Sequence, residues 1–394
     1  MSKRSLRSFI PLPLLMPFMS FIIGFETGGF QLVLRGMSSD FAVTALGSGI
    51  LAAAQYAGFI VSPFVFGSLS DKIGKKRVII ISGSLAALGC AVSAVSHSMA
   101  PFIIGSFFTG SGYSAVESAE AAALSDMYGE KSSHYLCIAE FLFSVGAIVA
   151  PLVTEAGISG GLWNWRFVFT FCGAVFAVIS CLYAAARIVV PVSSRPSARE
   201  KMPVWRYFAS AAFAFLFVSI FFECGLEQGF SYFIESHFSK TLLRPDLSAY
   251  SVSAYWVGMA SFRLLYSVVR VKPYRALLSG LAVACAALLG MAVSNSAYVS
   301  LAMCVLTGMA LGPLWAMLID LAAKQFPENS GGAVGLFSSG CGIGGAVFPI
   351  ITGLLSDGAG LRTAFAVLAA VAAAAWCLSL AAYRINNRKA RERS

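Results

Sequence analysis

Long apolar runs separated by short polar breaks make up almost the whole chain. Twelve such runs fall at roughly 9–34, 42–68, 78–96, 99–125, 133–157, 165–187, 206–235, 247–269, 274–294, 297–323, 331–356 and 362–384. A helix needs about 20 apolar residues to cross the hydrocarbon core of a bilayer. Inside lipid, every backbone N–H and C=O must find its partner within the segment, which a helix achieves by itself. The pattern therefore predicts an all-α membrane protein with twelve transmembrane helices and no strands. The first run follows Ser2-Lys3-Arg4-Ser5-Leu6-Arg7-Ser8 and continues to about Leu34 without a small-residue cleavage site. It reads as a membrane helix that is retained rather than a leader.

The longest polar break is 189–205, with three prolines, three serines and four charged residues. It divides the chain into a six-helix bundle at 1–188, a cytoplasmic linker at 189–205 and a second six-helix bundle at 206–394. The halves repeat. Thr109-Gly110, Glu130, Ser132, Gly146, Pro151 and Thr154 recur 198 residues later as Thr307-Gly308, Glu328, Ser330, Gly344, Pro349 and Thr352. At an offset of 201, Gly24-Phe25-Glu26-Thr27-Gly28 in the first run matches Gly225-Leu226-Glu227-Gln228-Gly229 in the seventh. Two parallel repeats about an axis along the membrane normal is an arrangement that secondary transporters use.

Composition agrees with the pattern. The chain is 58% hydrophobic and 12% charged, against about 25% charged for a soluble domain. Its net charge of +10 would suit nucleic acid, but the distribution speaks against that partner. With the N-terminus placed inside, 22 of the 28 Lys and Arg fall in inner segments. Five (Arg35, Arg166, Lys240, Arg244, Arg362) fall in outer segments, and Arg263 lies within a run. This is the positive-inside bias. It predicts cytoplasmic termini in the plasma (inner) membrane, with the bilayer as the macromolecular partner. The nine cysteines are scattered without a C-x-x-C pair, and His97, His134 and His237 stand apart. Neither set has metal-ligand spacing, so no metal or cofactor is expected.

The break after the second run carries a denser signal: Gly67-Ser-Leu-Ser-Asp71-Lys-Ile-Gly74-Lys75-Lys76-Arg77. Asp71 at a helix end can accept from backbone N–H groups at the start of a neighbouring helix. Gly67 allows a close backbone approach, and Gly74 can turn the chain. Lys75, Lys76 and Arg77 face headgroups and cytoplasm. This G-x-L-x-D-x-x-G-K-K-R spacing resembles the loop 2–3 signature of the major facilitator superfamily of secondary transporters. That resemblance covers essentially the whole chain. It implies that Asp71 ties span 2 to the start of span 11 and helps gate the cytoplasmic side.

Ionisable residues inside membrane spans are costly and mark functional positions. Here they are Glu26, Glu117, Glu120, Glu140, Glu223 and Glu227, with Arg263 and Asp320 nearer the cytoplasmic ends. Glu26 and Glu227 hold matching places in the two halves, each flanked by glycines that would open space. Glu223 lies one turn before Glu227. Glu117 and Glu120 are three apart on roughly one face, where two carboxylates repel if both ionise. A carboxyl that titrates near neutral pH is what proton coupling needs. Gln31, Gln55, Tyr56, Tyr113, Gln228, Tyr232, Trp256 and Trp315 add hydrogen-bonding and stacking groups deep in the spans. Arg263 is expected to pair with an acid or a carbonyl at the cytoplasmic gate. Mid-span acids outnumber mid-span bases, which disfavours phosphates and dicarboxylates as cargo.

Short pieces also resemble the fucose–galactose–proton symporter branch of the superfamily. These are Gly110, Gly112 and Glu117 in span 4, Gly225 and Glu227 in span 7, Tyr255-Trp256-Val257-Gly258 in span 8, and Gly312-Pro313 in span 10. The resemblance implies that Glu117 is a proton-coupling and sugar-site residue. That branch's span 1 acid has no clear counterpart, Gln31 being nearest in position and Glu26 the nearby acid. The antiporter G-P signature of span 5 is partial, Gly146-Ala-Ile-Val-Ala150-Pro151.

No nucleophile–base set, phosphate loop or metal cluster points to an enzyme. The expected function is a proton-coupled secondary active transporter that acts as a monomer by alternating access, for a small neutral polar (sugar-like) or cationic solute. A proton-driven efflux antiporter for amphipathic drugs or metabolites is the alternative. A transporter-like sensor would be expected to carry a sizeable soluble domain, for which the loops leave no room. A cysteine-labelling map is expected to find both termini inside; either terminus outside would contradict this topology.

Overall fold

The computed structural model describes residues 12–128, 132–185, 202–269, 271–326 and 330–391. The described residues form helices joined by short turns, with no strand among them. In the first half these are α1 (Leu12–Phe41), α2 (Ala45–Ile73), α3 (Lys75–Ala94), α4 (Met99–Tyr128), α5 (Ser132–Ser159) and α6 (Phe167–Ala185). The short α7 (Val204–Phe208) precedes α8 (Ala211–Ser231), and the three-residue α9 (Ile234–Ser236) opens the turn to α10 (Ser248–Val268). Then come α11 (Pro273–Val293), α12 (Ala297–Leu311), α13 (Leu314–Gln325), α14 (Ser330–Ala359) and α15 (Leu361–Arg391).

Helices α12 and α13 are two pieces of one span, interrupted at Gly312-Pro313. A proline has no N–H to donate, and its ring crowds the preceding turn, so the ladder breaks there. With that span counted once and the short α7 and α9 set aside, twelve helices occupy the twelve expected positions. Among the described residues, nine helical stretches are long and apolar enough to cross a membrane by length and composition. Helices α1, α4 and α10 fall outside that set. Each carries serines, glycines and ionisable or aromatic polar groups along its length, including Glu26, Glu117, Glu120 and Arg263. Most of the 189–205 linker lies outside the described residues.

Contacts sort the chain into two compact units, which follow the two sequence halves except at the end of α1 and the start of α2. Residues up to Phe30, together with those from Ala57 through α6, form the first. The second unit joins Gln31–Tyr56 to everything from α7 onwards. In the first unit α3 packs on α4 and α6; in the second α8 packs on α14 and α15, and α11 on α12 and α15. Lipid is as apolar as leucine, so helices there associate by close packing rather than by the hydrophobic effect. Glycines provide it. A Cβ on Gly146 of α5 would collide with the Phe21 carbonyl of α1, and one on Gly344 of α14 with the Phe221 carbonyl of α8. Likewise Gly58 of α2 sits on the Phe107 carbonyl of α4, and Gly258 of α10 on the Val305 carbonyl of α12. The two units thus repeat the same crossings with the same residue type, which is the sequence repeat expressed as packing. Aromatic clusters fill the rest. Phe102 meets Phe30, Trp165 and Phe169 in the first unit, and Phe213 meets Tyr207, Phe326 and Phe337 in the second.

Gly146→Ala and Gly344→Ala are each expected to cost about 1–3 kcal/mol, as overpacking does when backbone must shift. Thermal unfolding of the purified variants measures this. Wild-type stability in either variant would show that its crossing can relax.

Candidate functional site

The first unit builds its polar centre around Glu26. Gly24 and Gly28 lie one turn apart on a single face of α1, and that face is pressed against α5. A Cβ on Gly24 would strike the Phe143 carbonyl, and one on Gly28 the Ala147 carbonyl. These glycines admit a neighbouring backbone; they do not open space for a solute as the sequence suggested. Glu26, two residues from each, points the other way. It is fully buried, within electrostatic reach of Cys90 on α3, Tyr113 on α4 and Cys172 on α6. Tyr113 stacks on Phe176 at 5.1 Å, and its hydroxyl lies 3.8 Å from the Cys90 thiol. Thr109 Oγ1 donates to the Gly105 carbonyl at 3.0 Å.

On α4 the two carboxyls part company. Glu117 is exposed on the helix surface, and the charge it faces is Glu140 of α5. Glu120 is 1% exposed and accepts from the hydroxyl of Tyr183, on α6, at 2.8 Å. The two remain close enough to act on one another electrostatically. A 60° difference in direction around the helix gives them different surroundings, an outcome that spacing alone does not settle. Tyr183 was not among the residues read from the sequence. Its one signal there is a lone tyrosine near the end of an otherwise apolar span.

The second unit centres on α8. Gly225 and Gly229 hold the matching places on α8, but what they admit is side chains, those of Phe348 and Thr352 of α14, rather than backbone. Glu227 is half-buried, accepts from Gln228 Nε2 at 3.1 Å, and lies within electrostatic reach of Tyr56 and Tyr255. Glu223, one turn earlier, is fully buried and takes a thiol hydrogen bond from Cys224 at 3.3 Å. Trp256 is buried and meets Tyr255 edge-on at 5.4 Å. Gln55 is also buried. Trp315 is 42% exposed on α13, so its ring belongs to the surface of this unit rather than to the buried cluster.

Among the buried atoms of this unit that have no hydrogen-bond partner are Gln31 Oε1, Glu223 Oε1, Gln228 Oε1 and the Tyr255 hydroxyl. Buried polar atoms are nearly always satisfied, so unsatisfied ones call for an explanation. Arg263 is within electrostatic reach of Glu223 and donates from Nε to the Gly312 carbonyl at 3.2 Å. It thereby serves backbone exposed where α12 breaks, the carbonyl partner expected of it.

In the loop signature, Gly74 adopts φ 86° as the residue between α2 and α3, a conformation glycine enters without steric cost. Lys75, Lys76 and Arg77 occupy the first turn of α3. Positive charge there opposes the helix dipole, so local helix stability does not account for it. The side chain of Asp71 lies outside the described residues, as does any contact of Gly67. No group of three or more His, Cys, Asp and Glu able to hold a metal occurs among the described residues, and the eight cysteines described are free.

Helical bundles with matching crossings and acids at matching positions fit a secondary membrane transporter. The sequence profile of the Major Facilitator Superfamily matches residues 17–243 and 216–394, and the chain belongs to that family. It is an integral membrane transporter of small molecules and not an enzyme. A glucose/galactose transporter of Brucella abortus biovar 1 (strain 9-941) is 21% identical over 365 residues, 88% of this chain and 87% of the relative. Among solved structures, the nucleoside transporter NupG superposes with a TM-score of 0.70 at 14% identity, covering 95% of this chain and 99% of the other. A variant of the E. coli fucose:proton symporter FucP gives 0.67 at 18% identity, covering 95% and 98%.

The Tyr183–Glu120 hydrogen bond yields a prediction. Tyr183→Phe leaves a buried carboxyl without this donor and should cost about 1–3 kcal/mol. In a Glu120→Leu background the same change should cost much less, because the coupling has gone. Equal costs in both backgrounds, measured by thermal unfolding, would show that the pair contributes nothing beyond packing.

Proposed function

We propose that this protein is a proton-coupled carrier of a small neutral polar solute, sugar-like in its density of hydroxyls. The observation that carries the reading is that buried atoms of Gln31, Glu223, Gln228 and Tyr255 have no partner, with the buried ring of Trp256 against that of Tyr255. Three carbonyl or carboxyl oxygens and a phenol offer acceptors and a donor to a polyhydroxylated ligand, and an aromatic face suits its apolar side. The likeness to a glucose/galactose transporter points the same way. Glu227 contributes to this solute site from α8. Gln55 and Tyr113 are assigned supporting places around it and around Glu26 respectively, and Trp315 a place at its rim.

Protons are assigned to span 4. Glu117 is the exposed carboxyl, able to exchange protons with water; Glu120 is the buried one, held by Tyr183. An unpartnered carboxylate in a membrane is strongly disfavoured, so such a group binds either a proton or a solute. Alternating access presents it to each side in turn, which ties its proton occupancy to that of the cargo. Both termini are placed in the cytoplasm, with the protein acting as a monomer in the plasma (inner) membrane. The loop from Gly67 through Asp71 and Gly74 to Arg77, with Arg263, serves the cytoplasmic gate. A cationic solute is the second reading, favoured by Glu223 and Glu227 together outnumbering Arg263.

Glu117→Gln and Glu120→Gln mimic the protonated carboxyl. In proteoliposomes, the variant at the coupling position should retain counterflow exchange and lose accumulation driven by a pH gradient. Glu227→Gln should weaken binding itself, more for a cationic solute than for a neutral one. If both span 4 variants still concentrate solute with unchanged pH dependence, the proton site is not in span 4. Gradient-driven export in a known orientation would favour the efflux antiporter.

A further inference from the structure

The loop signature has a second copy at the other end of the fold. Gly353-Leu354-Leu355-Ser356-Asp357-Gly358-Ala359-Gly360-Leu361-Arg362 aligns with the stretch from Gly67 to Lys76 at a constant offset of 286 residues. Glycine, leucine, serine, aspartate and glycine coincide at Gly67/Gly353, Leu69/Leu355, Ser70/Ser356, Asp71/Asp357 and Gly74/Gly360, and a base stands at both Lys76 and Arg362. The backbone repeats too. Helix α14 ends at Ala359 and α15 starts at Leu361, just as α2 ends at Ile73 and α3 starts at Lys75. The single residue between them is a glycine with φ 84° in one case and 86° in the other.

In this second copy the aspartate is described, and it has partners. Asp357 accepts from the backbone N–H of Ala45 at 3.0 Å and of Leu46 at 2.8 Å, one on each carboxylate oxygen. Those are the first two residues of α2, whose N–H groups have no intrahelical acceptor. A carboxylate there also meets the positive end of the helix dipole. Glycines bring the two helices together: a Cβ on Gly353 would collide with the Ala45 carbonyl, and one on Gly49 with the Pro349 carbonyl. At the same ends of α1 and α2, Arg35 pairs with the buried Glu235 at 3.4 Å and donates to Ser248 at 3.3 Å.

We propose that Asp357 is a positioning residue of an outer gate, holding the start of α2 on the end of α14 whenever the outer side is closed. Gly353 and Gly49 make this contact possible, and Gly360 sets the turn that aims it. The placement on the outer side rests on the orientation assigned under the proposed function. The exposed carboxylate makes a latch that is strong enough to bias an equilibrium and weak enough to release in each cycle.

Ser48 lies buried just behind the contact, so a Ser48→Cys thiol reports its opening. Labelling by a membrane-impermeant maleimide applied to right-side-out vesicles is read by peptide mass in four backgrounds: wild type, Asp357→Asn, Gly353→Ala and Asp246→Asn. Asp357→Asn should raise the labelling rate roughly two- to fivefold, the range set by a charge at a helix terminus. Gly353→Ala, which leaves the carboxylate in place but wedges the helices apart, should raise it as well. Asp246→Asn, which removes an outer-loop charge paired only locally with Arg244, should leave it unchanged. Wild-type rates in both contact variants, or an equal rise in the Asp246→Asn control, would overturn the proposal. Labelling confined to inside-out vesicles would overturn the orientation instead, while a rise there on Asp357→Asn would uphold the latch itself.

Discussion

A polar group inside a membrane has no water to fall back on, and most of this structure follows from that constraint. Backbone groups are satisfied by making the chain helical throughout its described length. Side chains are satisfied in pairs, across helices by Tyr183 with Glu120 and within α8 by Gln228 with Glu227 and Cys224 with Glu223. Where the helix is interrupted at Gly312-Pro313, Arg263 donates to the Gly312 carbonyl. Against this background of satisfied groups, the few buried atoms without partners stand out. Among them, Gln31 on α1, Glu223 and Gln228 on α8 and Tyr255 on α10 belong to one unit, and they are what makes a solute site the natural reading there.

The second constraint is distance. Helices in lipid gain little from burying apolar surface, so they must come close enough for backbone to meet backbone. Glycine at the crossing is how this chain does it, and it does so twice over. Gly146 and Gly344 make equivalent crossings in the two units, as do Gly58 and Gly258. The same logic turns a face of α1 and a face of α8 into pure packing surface. Glu26 and Glu227 are thereby directed away from α5 and α14 respectively. The position of each acid is set by its glycines, through the face they consume rather than the space they leave.

The fold was legible in the sequence because lipid imposes a length on every span and an internal repeat halves the problem. The class was legible from a single loop, Gly67 to Arg77, whose spacing is hard to meet by accident. The site was legible only as a set of residue types. Glu117 and Glu120 read as one pair, yet they face different neighbours, because Tyr183 and Glu140 come from helices that the periodicity of α4 does not reveal. Trp315 and Trp256 read alike as aromatic residues deep in spans; one is exposed and the other buried, a difference that residue type and depth do not carry. The grouping of Gln31–Tyr56 with the second half of the chain had no signal in hydropathy. It depends on the glycines and on Asp357, whose likeness to the loop 2–3 signature becomes meaningful once its partners are known.

The central claim is that solute and proton occupy the protein in a linked way through its membrane carboxylates. The direct measurement is calorimetric binding to the purified wild-type protein, using the tightest binder from a thermal-shift panel of sugars, nucleosides and polyamines. The titration is repeated across the pH range and in buffers of different ionisation enthalpy. The account predicts an affinity that changes with pH and a measurable proton exchange on binding, by the linkage that joins any two ligands of one molecule. A constant affinity across that range, with no protons taken up or released, would contradict it.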